Sequence, residues 1–240
     1  MTIIVCVSEG KSVLFVYSGY VPELDTLLAE ILISKDAVLT IIPTTPDEYE
    51  TAAYVSDYYQ DAGLPSQSLS KALYEDAEQL KNIILASQAV YLMGGNTFEF
   101  LHYAKMVDLF PVLAQLESNG GIIAAESAGS IILSDTIATA SLPTSDVDEN
   151  TLGISNIHAM GRIAFHISPH FDPEKNDLSI DLDELQVLAN TSNQDVLLLE
   201  DGEGFVMEGD VIETFVGKKK FLSSEVQSTS SGSLSDTNSL

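Results

Sequence analysis

The chain has 240 residues, 45% of them hydrophobic, which suffices for one large α/β domain with a proper core. Against 36 acidic residues stand only 10 basic ones, a formal net charge of −26. A field of that sign repels nucleic acid and anionic membranes and favours a cationic or amine-bearing ligand, or simply keeps the protein soluble in a salty setting. No apolar run reaches the roughly 18 residues of a membrane-spanning helix. The opening MTIIVCVSEGKSVLFV has neither a basic leader nor a cleavage site, so it reads as strands and not as a signal peptide. The single cysteine, Cys6, cannot form an internal disulfide, which fits a cytoplasmic protein.

TIIVCV, SVLFVY and AVLTIIPT are β-branched runs of strand length. Between the last two, VPELDTLLAEILIS places Leu24, Leu27, Leu28 and Ile31 at helical spacing. PDEYETAAYVSDYYQDAG opens on Pro-Asp-Glu and closes on Gly63, the start and stop signals of a helix. SKALYEDAEQLKN reads as one further helix, QAVYLMGG as a strand ending in glycines, and NTFEFLHYAKMV and LFPVLAQLESNG as helices. This alternation predicts a mostly parallel sheet with helices on both faces, a three-layer αβα domain. Residues 136–155 are polar and turn-rich and read as a long surface loop, and IHAMGRIAFHISPHFDP as one or two strands ending at Pro169. SIDLDELQVLANTS is a helix, and DVLLLEDGEGFVMEGDVIETFVG is a strand, a turn and a hairpin built on Gly209-Asp210. From Ser223 onward 8 of 18 residues are serine with no aromatic, so residues 1–222 form the domain and 223–240 a disordered tail.

Chemistry gathers at the carboxyl ends of parallel strands. In GIIAAESAGSIIL an apolar strand stops at Glu126-Ser127 and small residues follow. Ala125-Glu126-Ser127-Ala128-Gly129 approximates the G-x-S-x-G turn that presents a nucleophilic serine, with alanine in the first small position. The competing reading is a tight turn with a capping serine. The chain offers four histidines as a base. His102 falls in mid-helix and reads as structural, and His158 lies further back from the strand. His166 shares a strand face with Ser168, whereas Pro169 breaks the strand and leaves His170 at its mouth.

GGNTFEFL (94–101), ESAGS (126–130) and ISPHFDP (167–173), in that order, resemble the dipeptidase E and cyanophycinase family of serine peptidases over about residues 10–215. The resemblance implies a class I glutamine amidotransferase-like (flavodoxin-like) αβα fold and hydrolysis of short peptides through an acyl-enzyme. Ser127 would be the nucleophile and His170 the general base. The backbone N–H groups of Gly95 and Ala128 would form the oxyanion hole. It places the orienting acid in LLLEDGEGFV, at Asp201, with Glu200 the alternative; Asp146 or Asp148, in the loop between serine and histidine, are further candidates. No cofactor and no metal are implied.

Three departures from the family pattern stand out. The family's usual acid is glutamate where Asp201 stands, Glu126 replaces a tryptophan before the nucleophile, and the arginines expected after the histidine are missing from EKNDLSIDLDELQ. Only Lys175 or Arg162, the one arginine of the chain, could supply positive charge there. Cleavage after aspartate is therefore not expected, and a substrate neutral or basic near the scissile bond is. Serine at the elbow excludes a cysteine amidotransferase, and no G-x-G-x-x-G or Walker sequence supports a nucleotide site. The non-enzymatic alternative is a degenerate family member acting as a binding or scaffold protein. The sequence leaves the oligomeric state open.

Overall fold

The computed structural model describes residues 12–144, 147–174 and 178–224. Val13–Ser18 forms β1, buried along its whole length. Leu14 and Val16 enter one core, while Val13, Phe15 and Tyr17 enter another on the opposite face. A strand covered on both sides must be apolar throughout, which is why VLFVYS shows no alternation. Helix α1 (Pro22–Ser34) begins with proline at its first turn and buries Leu24, Leu27, Leu28 and Leu32. Strand β2 (Val38–Ile42) is followed by a 3₁₀ turn, Pro46–Glu48, closed by a capping box between Thr45 and Glu48, and then by α2 (Tyr49–Asp61).

The rest of the doubly wound half follows as β3 (Ser66–Ser68), α3 (Ala77–Ser87), β4 (Gln88–Leu92), α4 (Thr97–Met106), α5 (Leu109–Ser118), β5 (Ile122–Glu126) and α6 (Ala128–Ile131). After a long irregular segment come β6 (His166–Ser168), α7 (Leu178–Ser192), β7 (Val196–Leu198), β8 (Glu203–Glu208), β9 (Val211–Val216) and β10 (Lys220–Leu222). The main sheet has the order β3-β2-β4-β5-β1-β8-β9, the first five strands parallel and the last two added antiparallel. Helices α1 and α2 pack on one face, α3 to α6 on the other. This is the expected three-layer, mostly parallel αβα architecture.

A second sheet, β10-β7-β6, was not foreseen. Ile167 and Leu197 turn its inner face into the main core. Val196 and Leu198 on the outer face pack with Phe171, Leu185 and Ala189, so α7 closes a small satellite core. Because β6 and β7 are parallel, the two chain segments that follow them leave side by side.

Several boundaries differ from the sequence reading. SKALYEDAEQLKN is not one helix: Lys71–Glu75 forms a 3₁₀ turn, and the Asp76 side chain accepts the Gln79 N–H at 3.0 Å to start α3. Segment 136–155 is more than a surface loop, since Ile137, Thr139 and Ala140 are buried around a short 3₁₀ turn, Ala138–Ser141. Only His166–Ser168 of IHAMGRIAFHIS is a named strand; the part before it bonds by Ala159, Met160 and Ile163 N–H groups to the exit of α6. Just beyond Leu222, the Ser223 carbonyl accepts from Gln186 Nε2 and the Ser224 N–H donates to Asp195 Oδ1, at 2.9 Å each. TIIVCV, Asp146, Lys175 and the tail from residue 225 lie outside the described residues.

Candidate active site

The parallel strands β1, β4 and β5 end together, and the chain turns sharply at the end of β5. Ser127 takes φ +50° and ψ −113°, a conformation that L residues rarely adopt. Its N–H donates to the Tyr17 carbonyl at the end of β1 (3.1 Å), and α6 starts at the next residue. The small neighbours have a steric cause. A Cβ on Gly129 would lie 2.4 Å from the Leu92 carbonyl oxygen, and one on Gly94 would lie 3.1 Å from the Ser127 Cβ. The Ser130 hydroxyl pins the elbow from beneath, 2.7 Å from the Ala125 carbonyl and 3.0 Å from that of Tyr17.

His170 leaves β6 after Pro169 at φ +58°. Its N–H donates to the Ser18 hydroxyl (2.8 Å), which in turn donates to the Leu199 carbonyl (3.3 Å). The imidazole Nε2 lies 2.7 Å from Ser127 Oγ. Nδ1 lies 2.5 Å from Asp201 Oδ1, in the turn after β7. Gly202 N–H donates to the Ser18 carbonyl (2.8 Å), so that turn is drawn to the end of β1. Hydroxyl, imidazole and carboxylate thus form one hydrogen-bonded series across 75 residues of sequence, from Ser127 to Asp201. Glu200 is turned to Lys220 Nζ at 2.5 Å, away from the series. Asp148 serves α4 instead, its Oδ2 accepting the Thr97 N–H at 2.8 Å.

Gly95 has φ +144°, and a Cβ there would meet Thr44 Oγ1 at 2.7 Å. The Gly94-Gly95 backbone can therefore run against the serine as no larger residue could. Thr44 Oγ1 donates to the Gly94 carbonyl (2.5 Å) and fixes that loop. Ala128 is the first residue of α6, so its N–H has no carbonyl one turn earlier to serve. A cavity of about 330 Å³ opens beside these groups, with Gly95, Ser127, Ser168 and His170 in its wall.

The remaining candidates lie elsewhere. His166 is 1% exposed, and burial pushes its pKa down. His102 is exposed on α4 and His158 sits in an isolated bridge to Thr136. Glu126 accepts from the Tyr91 hydroxyl at 2.9 Å. Arg162 does not approach the cavity. It clamps Glu117 (2.7 Å), the Gly209 carbonyl (2.8 Å) and Ser12 (3.1 Å). Among the described residues no three His, Cys, Asp or Glu side chains gather in a metal-binding group, and no helix is long and apolar enough to cross a membrane.

Sequence reasoning missed Ser18, Thr44 and Tyr91, which hold the site's backbone and neighbours in place. The one available signal was Ser18-Gly19, a small polar pair at the exit of a buried strand, like Gly94-Gly95.

Together these observations describe an αβα protein whose serine stands at a strand-to-helix elbow beside an imidazole and a carboxylate. The model of peptidase family S51 matches residues 10–215, and the chain belongs to that family, the dipeptidase E family. An uncharacterized peptidase of Listeria monocytogenes serovar 1/2a is 26% identical over 137 residues, which is 56% of this chain and 65% of that protein's own length. The fold is shared with a peptidase E-like crystal structure from Listeria monocytogenes EGD-e, at TM-score 0.66 and 22% identity, covering 88% of this chain and 99% of the other. It is shared as well with a peptidase from an acI-B1 Actinobacterium, at TM-score 0.61 and 16% identity, covering 89% and 95%.

Proposed function

We propose that this member of the peptidase family is a serine-type enzyme that hydrolyses short peptides through an acyl-enzyme on Ser127. The observation that carries the reading is the 2.7 Å approach of His170 Nε2 to Ser127 Oγ at a strained elbow. His170 takes the hydroxyl proton as Oγ adds to the scissile carbonyl. The N–H groups of Ala128 and Gly95 would receive the oxyanion. His170 then passes its proton to the departing amine, and a water repeats the sequence to release the acid. Asp201 keeps the Nδ1 proton in place, so that Nε2 is the basic nitrogen, and stabilises the imidazolium that forms.

The test is hydrolysis of a dipeptide library by wild type, Ser127→Ala and His170→Ala, with circular dichroism to establish folding. Each variant should lose about 10³-fold or more in kcat. Wild-type turnover by folded Ser127→Ala would overturn the mechanism. Failure of the wild type to cleave any peptide, together with no labelling of Ser127 by a fluorophosphonate, would favour a binding or scaffold protein.

A further inference from the structure

Gly94 and Gly95 have no side chains to hold the peptide between them. The residues on either side are anchored. Upstream, the Met93 N–H donates to the Ile42 carbonyl at the end of β2 (3.1 Å). Downstream, Asn96 caps α4: its Oδ1 accepts the Glu99 N–H (3.1 Å) and its Nδ2 donates to the Glu149 carbonyl (2.9 Å). The glycine pair between these anchors lies against the nucleophile, since a Cβ on Gly94 would stand 3.1 Å from Ser127 Cβ and 3.7 Å from its Oγ. With glycine on both sides, no Cβ opposes rotation of the peptide plane. Turning that plane over would put a carbonyl oxygen where the N–H had been, and a carbonyl repels the oxyanion that an N–H stabilises.

Thr44 opposes this rotation. Its side chain is buried, with Oγ1 2.5 Å from the Gly94 carbonyl oxygen and 3.5 Å from that of Met93. A hydroxyl has one proton to donate, and the shorter contact takes it. Thr44 is itself firmly seated. Before it, the Pro43 carbonyl accepts from the Tyr74 hydroxyl (2.7 Å), and after it Thr45 closes the capping box with Glu48. A trans peptide is planar and its C=O and N–H point opposite ways. A Gly94 carbonyl held on Thr44 therefore fixes the direction of the Gly95 N–H as well. Gly95 and Ser127 share the wall of the cavity.

We infer that Thr44 is a positioning residue for the oxyanion hole: its hydroxyl locks the Gly94–Gly95 peptide in the orientation that offers the Gly95 N–H to the tetrahedral intermediate. The inference rests on the acyl-enzyme reading of Ser127. The test compares three full-length variants: Thr44→Val keeps the shape and loses the donor, Thr44→Ser keeps the hydroxyl, and Thr44→Cys offers a weak donor. Two quantities are measured, with circular dichroism to establish folding. One is the rate of Ser127 labelling by a fluorophosphonate, which develops a negative oxygen in the hole without needing a peptide. The other is kcat and KM, separately, on the best substrate of the dipeptide library. Thr44→Val should lower the labelling rate and kcat at least tenfold and leave KM within about threefold, because the donor acts in the transition state. Thr44→Ser should stay within about threefold of wild type in all three, with Thr44→Cys between. If Thr44→Val does not fold, Thr44→Cys against Thr44→Ser carries the comparison. Wild-type labelling by folded Thr44→Val overturns the inference. So do equal losses in Thr44→Val and Thr44→Ser, or a raised KM at unchanged kcat. If the wild type is labelled but cleaves no dipeptide, the substrate reading falls and the labelling ratio alone decides on Thr44. A wild type that is neither labelled nor active removes the catalytic reading and this inference with it.

Discussion

Asp201 carries its carboxylate largely in water, 74% exposed, while holding His170 Nδ1 at 2.5 Å. The shorter aspartate reaches because Gly202 ties the turn to the Ser18 carbonyl. An exposed pair contributes little to stability, and its weight falls on the tautomer of the imidazole. Asp201→Asn should therefore keep the wild-type Tm and lower kcat by about 10²-fold or more. Glu200→Gln, which removes only the partner of Lys220, should leave kcat within about twofold. Loss of activity in Glu200→Gln with Asp201→Asn unaffected would move the acid one residue. Ser127 and His170 were singled out by local marks, small neighbours and a strand-breaking proline, whereas Asp201 was singled out only through the family resemblance, with Glu200 beside it. Ser18 is marked only by the glycine that follows it, and that does not reveal its partner. Its contact with His170 joins residues 152 apart in sequence and exists only once β1 and β6 have been brought together.

Strands β1, β4 and β5 and helices α1 and α2 enclose a polar cluster behind the elbow. Tyr59 Oη donates to Asp25 at 2.7 Å, and Tyr91 Oη donates to Glu126 at 2.9 Å. The Tyr17 and Tyr59 rings lie 5.9 and 5.8 Å from that of Tyr91. Burial raises the Asp25 pKa to about 6; the Tyr59 and Tyr58 hydroxyls oppose that rise and the charge of Glu126 adds to it. A carboxyl whose pKa is higher in the folded state binds its proton more tightly there than in the unfolded chain. Its contribution is therefore full below the unfolded value near 4 and is lost as pH climbs through about 6. Asp25→Asn removes this loss, on the order of 2–3 kcal/mol at neutral pH. The difference in Tm, variant minus wild type, should widen in the variant's favour between pH 4 and pH 7.5. A difference that does not change with pH would show that Asp25 ionises as it would in water. At this scale the long helices were legible from periodicity and the buried strands from their β-branched apolar runs. SQS of β3 and KFL of β10 were not, since three residues carry no period and their pairing is decided by neighbours. Within SKALYEDAEQLKN, the local preference of Asp76 for a cap overrode an otherwise helical pattern.

For the molecule as a whole, alternation of strands and helices announced the αβα layers, but the second sheet needed a contact between β6 and β7 that no local pattern encodes. The charge of −26 belongs to this scale too. A compact chain of this length has a radius of gyration of about 18 Å. At roughly 0.01 M salt the Debye length is about 30 Å, so every carboxylate feels every other, whereas at roughly 0.1 M it is about 10 Å and only neighbours interact. Unfolding spreads the same charges further apart, so their repulsion acts against the folded state, and most strongly at low salt. The Arg162–Glu117 pair, with side chains 13% and 9% exposed, is screened too little to offset this trend. Tm should therefore rise steeply from about 0.01 to 0.1 M NaCl and flatten above about 0.3 M, where screening is nearly complete. Potassium chloride should give the same curve, because the effect is of ionic strength and not of a bound ion. A Tm that is flat across the low-salt interval would mean that the carboxylates are already neutralised in the folded protein. A rise with one cation and not the other would replace general screening with a specific site.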